Sequence, residues 1–232
     1  MEPTQTTDMP GMVQKLLQFV SPVVMTGACL PPACAGRADV KEITIQVFNS
    51  AQVSKGDLAG ALKVASAIYA EAGISITWEQ GSDDDHESKA LDFSANGVSG
   101  GACTRRRLGG VNLGLDRAPA SGVKNTTLGF ALPCARYGTD ASIFVDRCEG
   151  VMQGTTASFG KILGHAIAHE VGHVLLGTNG HSVGGLMRSR WGRAEWQTIA
   201  AAHLAIAPAD AEKMAASLLS YGQSGKTTTG AR

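Results

Sequence analysis

One segment of this chain, GKILGHAIAHEVGHVLLGTNGHSVGGLM over residues 160–187, holds the residue types and spacings that could do chemistry. His169 and His173 stand four residues apart in an apolar stretch that reads as a helix over 158–176. Side chains four apart on a helix stack one above the other, so both imidazoles can share one divalent ion. Glu170 follows His169 and is not suited to ligate from the same face. It can instead reach a water beside the ion as a general base. Catalytic zinc takes three protein ligands and keeps a fourth position open. From Val171 to Ala194 the chain has no Asp, Glu or Cys, and the strong donors there are His173 and His181. Gly177 and Gly180 let the chain leave the helix and fold back. The expected site is therefore Zn2+ on His169, His173 and His181, with Glu170 as base. The competing reading makes the two helical histidines core residues with satisfied hydrogen bonds, which leaves a glutamate on an otherwise apolar helix unexplained.

Two neighbours compete for the metal. His165 shares the face, but it lies a further turn of about 5.4 Å along the helix. Three successive turns do not converge on one small ion, so His165 is expected to be a core residue or to support a ligand. Glu195 lies 22 residues after His173 on a second probable helix and is the rival third ligand.

The elements that must position these residues follow from periodicity. KEITIQVF over 41–48 alternates and is β-branched, so it reads as a strand. Leu58, Leu62, Ala65, Ile68 and Tyr69 recur at helical spacing within 53–72, and Gly73 is a natural stop. Ile74–Trp78 reads as a second strand, and the crossover predicts parallel pairing. A long polar loop is expected over 79–105 and a third strand over 108–115. LGFALP over 128–133 reads as a short strand whose proline favours an end or an edge. ASIFVD over 141–146 reads as another strand. Helices are expected over 193–205 and 208–221, and a frayed tail beyond.

The site segment resembles the active-site region of metzincin metallopeptidases, most nearly their matrixin-like branch. His169, Glu170 and His173 match the first part of that pattern, His181-Ser182 resembles the third-ligand His-Ser pair, and Gly185-Leu186-Met187 resembles the methionine turn. LGFALP and ASIFVDR resemble the antiparallel edge strand and the strand after it. The resemblance implies an α/β (α+β) zincin fold: a twisted, mostly parallel sheet with an antiparallel edge strand, an active-site helix, a methionine turn and C-terminal helices. It implies peptide-bond hydrolysis by a zinc endopeptidase, with Met187 beneath the metal. Leu128, Gly129, Phe130, Ala131 and Leu132 would hold an extended peptide by strand addition. The chain departs from the pattern in three places. His181 comes eight residues after His173 rather than six, Asn179 occupies the usual third-ligand position, and Arg188-Ser189-Arg190-Trp191 brings no tyrosine near the metal. These departures keep open a zinc-binding, peptide-binding module without turnover.

Composition bounds the rest. The chain has 232 residues, 44% hydrophobic and 17% charged, enough for one domain with a sizeable core. Lys+Arg and Asp+Glu both number 20, which argues against nucleic acid as a partner. A peptide or protein substrate and a monomer are expected. No apolar run reaches about 18 residues, so no transmembrane segment is expected. Residues 1–35 read as a signal peptide or leader, with Ala33-Cys34-Ala35 as the cleavage site, which places the protein outside the cell or in the periplasm. The catalytic domain would then span 36–222 and a disordered tail 223–232. Cleavage leaves Cys103, Cys134 and Cys148; the strand order inferred from the resemblance favours a Cys103–Cys134 disulfide with Cys148 free. The acidic run at 83–87 and the arginines at 105–107 read as solvated loops.

Overall fold

A computed structural model describes residues 41–81, 110–117, 126–133 and 140–224, all within the compact unit Asp39–Arg232. The leader, the acidic and arginine runs, the proposed Cys103–Cys134 pair and residues 225–232 lie outside the described residues.

Strand β1 (Lys41–Phe48) is followed by helix α1 (Lys55–Glu71) and strand β2 (Ile74–Gln80). Asp57 N–H donates to the Ser54 hydroxyl oxygen at 3.1 Å, satisfying one amide that the first turn of α1 would leave unpaired. The β1–β2 pair is parallel, Lys41 opposite Ile74, as a crossover helix requires. Strands β3 (Val111–Asp116), β4 (Gly129–Ala131) and β5 (Ala141–Phe144) complete one sheet in the order β2-β1-β3-β5-β4. Four strands run parallel; β4 is antiparallel to β5 at the edge, with Phe130 opposite Ser142. This is the mixed α/β sheet expected from the sequence. Ile45, Leu113, Leu115 and Ile143 of the central strands are fully buried, as strands covered by a helix layer require.

Helix α2 (Val145–Gln153) departs from expectation: the strand stops at Phe144 and the chain turns directly into a helix. Val145 and Cys148, three apart, bury one side of it, and the Arg147 guanidinium packs 4.6 Å over the Phe144 ring while donating to Thr127 O. Burial pushes the Cys148 thiol up to about 12, with Glu149 adding to it, so the free Cys148 is an inert core group.

Helix α3 (Phe159–Leu176) packs against α1 and against β3, β4 and β5. A Cβ on Gly164 would stand 2.6 Å from Ala61 O and 2.7 Å from Val64 Cβ, so the two helices meet at a point without room for a methyl group. Gly164→Ala should therefore destabilise the fold by about 1–3 kcal/mol, overcoming alanine's better helix propensity. Urea unfolding reads this directly, and a stability equal to or above wild type would mean the helices part freely there.

Helix α4 (Arg193–Ala201) ends earlier than the expected 205. The Leu204 N–H and the Ala200 carbonyl, which would pair if the helix continued, are both taken by α3. Leu204 N–H donates to His165 Nε2 at 3.0 Å, and Lys161 Nζ donates to Ala200 O at 2.5 Å. Helix α5 (Pro208–Ser224) opens on proline, whose missing N–H costs nothing in a first turn, and continues slightly past the expected 221.

Candidate metal centre

Helix α3 carries two of the three clustered histidines and stops where the third becomes reachable. Gly177 caps it in the left-handed region at φ 69°, its N–H donating to His173 O and Val174 O. The chain then loops through Thr178–Gly180 and brings His181 back over the helix. Ring centroids stand 4.7 Å apart for His169 and His173, 4.8 Å for His173 and His181, and 5.5 Å for His169 and His181. One nitrogen from each ring lies within 4.8 Å of the others, a group that could hold a metal ion. Among the described residues no Asp, Glu or Cys joins it.

Hydrogen bonds fix the tautomers of the helical pair. His169 Nδ1 faces Leu186 O at 2.8 Å and His173 Nδ1 faces Thr178 O at 3.0 Å. A carbonyl oxygen only accepts, so each Nδ1 bears the proton and each Nε2 presents a lone pair. The two Nε2 atoms are 3.1 Å apart. Two lone pairs directed at one another repel, and a cation between them turns that repulsion into ligation. A tetrahedral ion with bonds of about 2.0–2.1 Å places its nitrogens about 3.4 Å apart, so the donor set fits zinc. Burial, chiefly, lowers the His169 ring to about 4 and the His173 ring to about 3, and it also lowers His181. All three are neutral near pH 7, the form that ligates.

Glu170 is 7% exposed. Burial pushes its carboxyl up to about 8, toward the range a proton carrier at neutral pH needs. Its stem lies against the edge strand: a Cβ on Gly129 would stand 2.8 Å from Glu170 Cγ. Along that strand Leu132 N–H donates to Asp140 O and Phe144 N–H to Leu128 O. Backbone direction alternates, so Leu128, Phe130 and Leu132 turn their peptide groups toward β5 while Gly129 and Ala131 turn theirs outward. Among the described residues no strand pairs that outer edge. Met187 is fully buried beneath α3, where a Cβ on Gly172 would stand 2.5 Å from its Sδ.

Glu195 is occupied elsewhere. It pairs with Arg188 and accepts the Gly192 N–H at 2.7 Å, closing the first turn of α4. Trp191 was not foreseen as part of the centre. Its indole stands edge-on to His169 at 5.6 Å and to His165 at 6.1 Å. Its Nε1–H shares Leu186 O with His169, filling both lone pairs of that carbonyl. Tyr69 was also unforeseen: from α1 it donates to Ala168 O at 2.8 Å, pinning the turn before His169. A tryptophan four residues after Met187 and a tyrosine on the buried face of α1 are the signals that were present.

His165 stands apart from the cluster. Its Nδ1–H donates to Lys161 O at 2.6 Å and its Nε2 accepts from Leu204, so both ring nitrogens are used and the ring is held neutral. Burial lowers it to about 4. Unfolded, it returns to about 6.5, so its contribution is whole above that pH and lost as pH falls toward 4, about 3 kcal/mol in all. In metal-free protein, His165→Gln should lose less stability than wild type between pH 7 and 4.5. Equal losses in denaturant titrations at the two pH values would contradict this.

No protein-family model and no curated protein matches the sequence. Among solved structures, the chain is similar to an archaemetzincin from Methanopyrus kandleri at 12% identity and a TM-score of 0.48, covering 80% of this chain and 99% of that one. It is likewise similar to a zinc-dependent peptidase from Methanocorpusculum labreanum at 13% identity and a TM-score of 0.48, covering 73% of this chain and 99% of that one.

Proposed function

We propose that the protein is a zinc-dependent endopeptidase of the metzincin type, nearest the matrixin-like branch. The observation that carries this reading is the pair of Nε2 lone pairs 3.1 Å apart under a third imidazole, with a buried carboxylate on the same helix. His169, His173 and His181 would hold the ion. When bound, zinc acidifies a water and polarises a carbonyl. Glu170 would take the proton from the attacking water and hand it to the leaving amine. The outward peptide groups of Gly129 and Ala131 would pair with an extended substrate, laying its backbone beside Glu170. Met187 floors the site without ligating. Leu186 O and Thr178 O keep both helical rings in the ligating tautomer.

The alternative, a zinc-bound module that holds peptides without turnover, is favoured by one feature: among the described residues around the metal there is no tyrosine to steady an oxyanion. The two are separated by incubating the zinc-loaded protein with an unbiased peptide library. Cleavage that a chelator abolishes and added zinc restores supports the endopeptidase; binding without any cleavage overturns it in favour of the module. Export to the periplasm or medium, and action as a monomer, belong to the same proposal. No described helix is long and apolar enough to cross a membrane.

A further inference from the structure

The three histidines are not held alike. His169 and His173 are each oriented through Nδ1 by a backbone carbonyl, and both sit on a helix whose backbone is fixed by its own ladder. His181 is exposed, lies on a loop, and among the described residues its ring has no such carbonyl partner. Its position is set by the backbone that carries it. That backbone is clamped at the next residue: Ser182 Oγ–H donates to Asp210 Oδ2 at 2.5 Å, and Ser182 N–H donates to Met187 O at 2.9 Å. Asp210 is 6% exposed and lies in the first turn of α5, where its negative charge faces the positive end of the helix. The far end of the loop is tied to the chain just before α5. Leu186 N–H donates to Ala205 O, and Gly185, at φ 70°, comes so near that a Cβ would stand 2.7 Å from that same oxygen.

We infer that Asp210 is a positioning residue for the metal centre: through Ser182 it holds the loop that carries His181, so the C-terminal helix governs how long the ion stays bound. The inference rests on the three-histidine reading and extends it to a residue 29 positions beyond His181. A buried carboxylate with one side-chain hydroxyl partner holds by a charge-assisted bond, the strong kind. Removing either end leaves the loop held by the Ser182 N–H bond to Met187 O and by Thr178 Oγ1, which accepts the Gly180 N–H at 3.1 Å.

The test is a double-mutant cycle read by zinc release. Zinc-loaded wild type, Ser182→Ala, Asp210→Ala and the double variant are challenged with excess chelator, and the release rate is followed. Each single variant should release zinc about 10–100-fold faster, the effect that loss of a ligand's supporting partner has on metal affinity. The double variant should be no faster than the worse single one, because both remove the same bond. Asp210→Asn, whose amide oxygen still accepts but carries no charge, should release zinc at a rate between wild type and Asp210→Ala. Metal-free Ser182→Ala should melt below wild type because it leaves the Asp210 carboxylate without its hydroxyl, whereas the metal-free double variant, which buries no unpaired charge, should melt nearer wild type and still release zinc fast, which separates positioning from general stability. Wild-type release rates in Ser182→Ala, or effects that multiply in the double variant, would overturn the inference while leaving the zinc reading intact. Failure of the wild type to load zinc at all would overturn both.

Discussion

Glu170→Gln should keep its zinc and lose peptide hydrolysis by about 10²–10⁴-fold, the range set by removing a positioned proton carrier. The amide fills the same volume against Gly129, so the close approach of α3 to the edge strand is preserved. It also removes the cost of burying an ionisable group whose carboxyl is already driven up to about 8. Stability should hold, and the loss should fall on kcat rather than on KM, because the residue acts on the proton and not on the bound peptide. Metal content and steady-state kinetics on one preparation decide it. Full activity in this variant would remove Glu170 from the chemistry. Loss of metal would make it part of the ligand set instead.

The second large effect separates the two candidates for third ligand. His181→Ala should lower zinc affinity by more than the roughly 10–100-fold that loss of a supporting partner costs, since it removes a donor outright. Glu195→Ala should leave zinc binding unchanged. Glu195 is held by Arg188 and by the Gly192 amide, outside the cluster, so its loss frays the start of α4 and nothing more. Equilibrium zinc titration of both variants against a competing indicator gives the answer. The reverse pattern, with Glu195→Ala losing the metal, would replace the three-imidazole set by two histidines and a glutamate.

Much of this architecture was legible because local pattern and tertiary context agree. Alternating β-branched residues at 41–48 and the helical spacing of Leu58, Leu62 and Ala65 gave the parallel β1–α1–β2 unit; Pro133 pointed to a strand end or an edge, and the antiparallel direction came from the resemblance to metzincins. His181 could be singled out by elimination, since few residues in its stretch offer a strong donor. What escaped was fixed by contacts distant in sequence. Residues 145 and 146 read as the end of a strand over 141–146, because Val145 is β-branched and nothing local announces a helix start; no side chain caps it. The end of α4 is set by His165 and Lys161, nearly forty residues upstream, which take the bonds the helix would otherwise make. The same holds for Tyr69 and Asp210: each contributes through a bond to a residue far along the chain, which sequence spacing does not reveal.

Zinc analysis joined to X-ray absorption at the zinc edge bears most directly on the centre. Purified full-length protein should carry one zinc per chain, ligated by imidazole nitrogens at about 2.0–2.1 Å, with three histidine rings in wild type and two in His181→Ala. Protein that takes up no zinc on reconstitution, or a His181→Ala variant with an unchanged imidazole count, would contradict it.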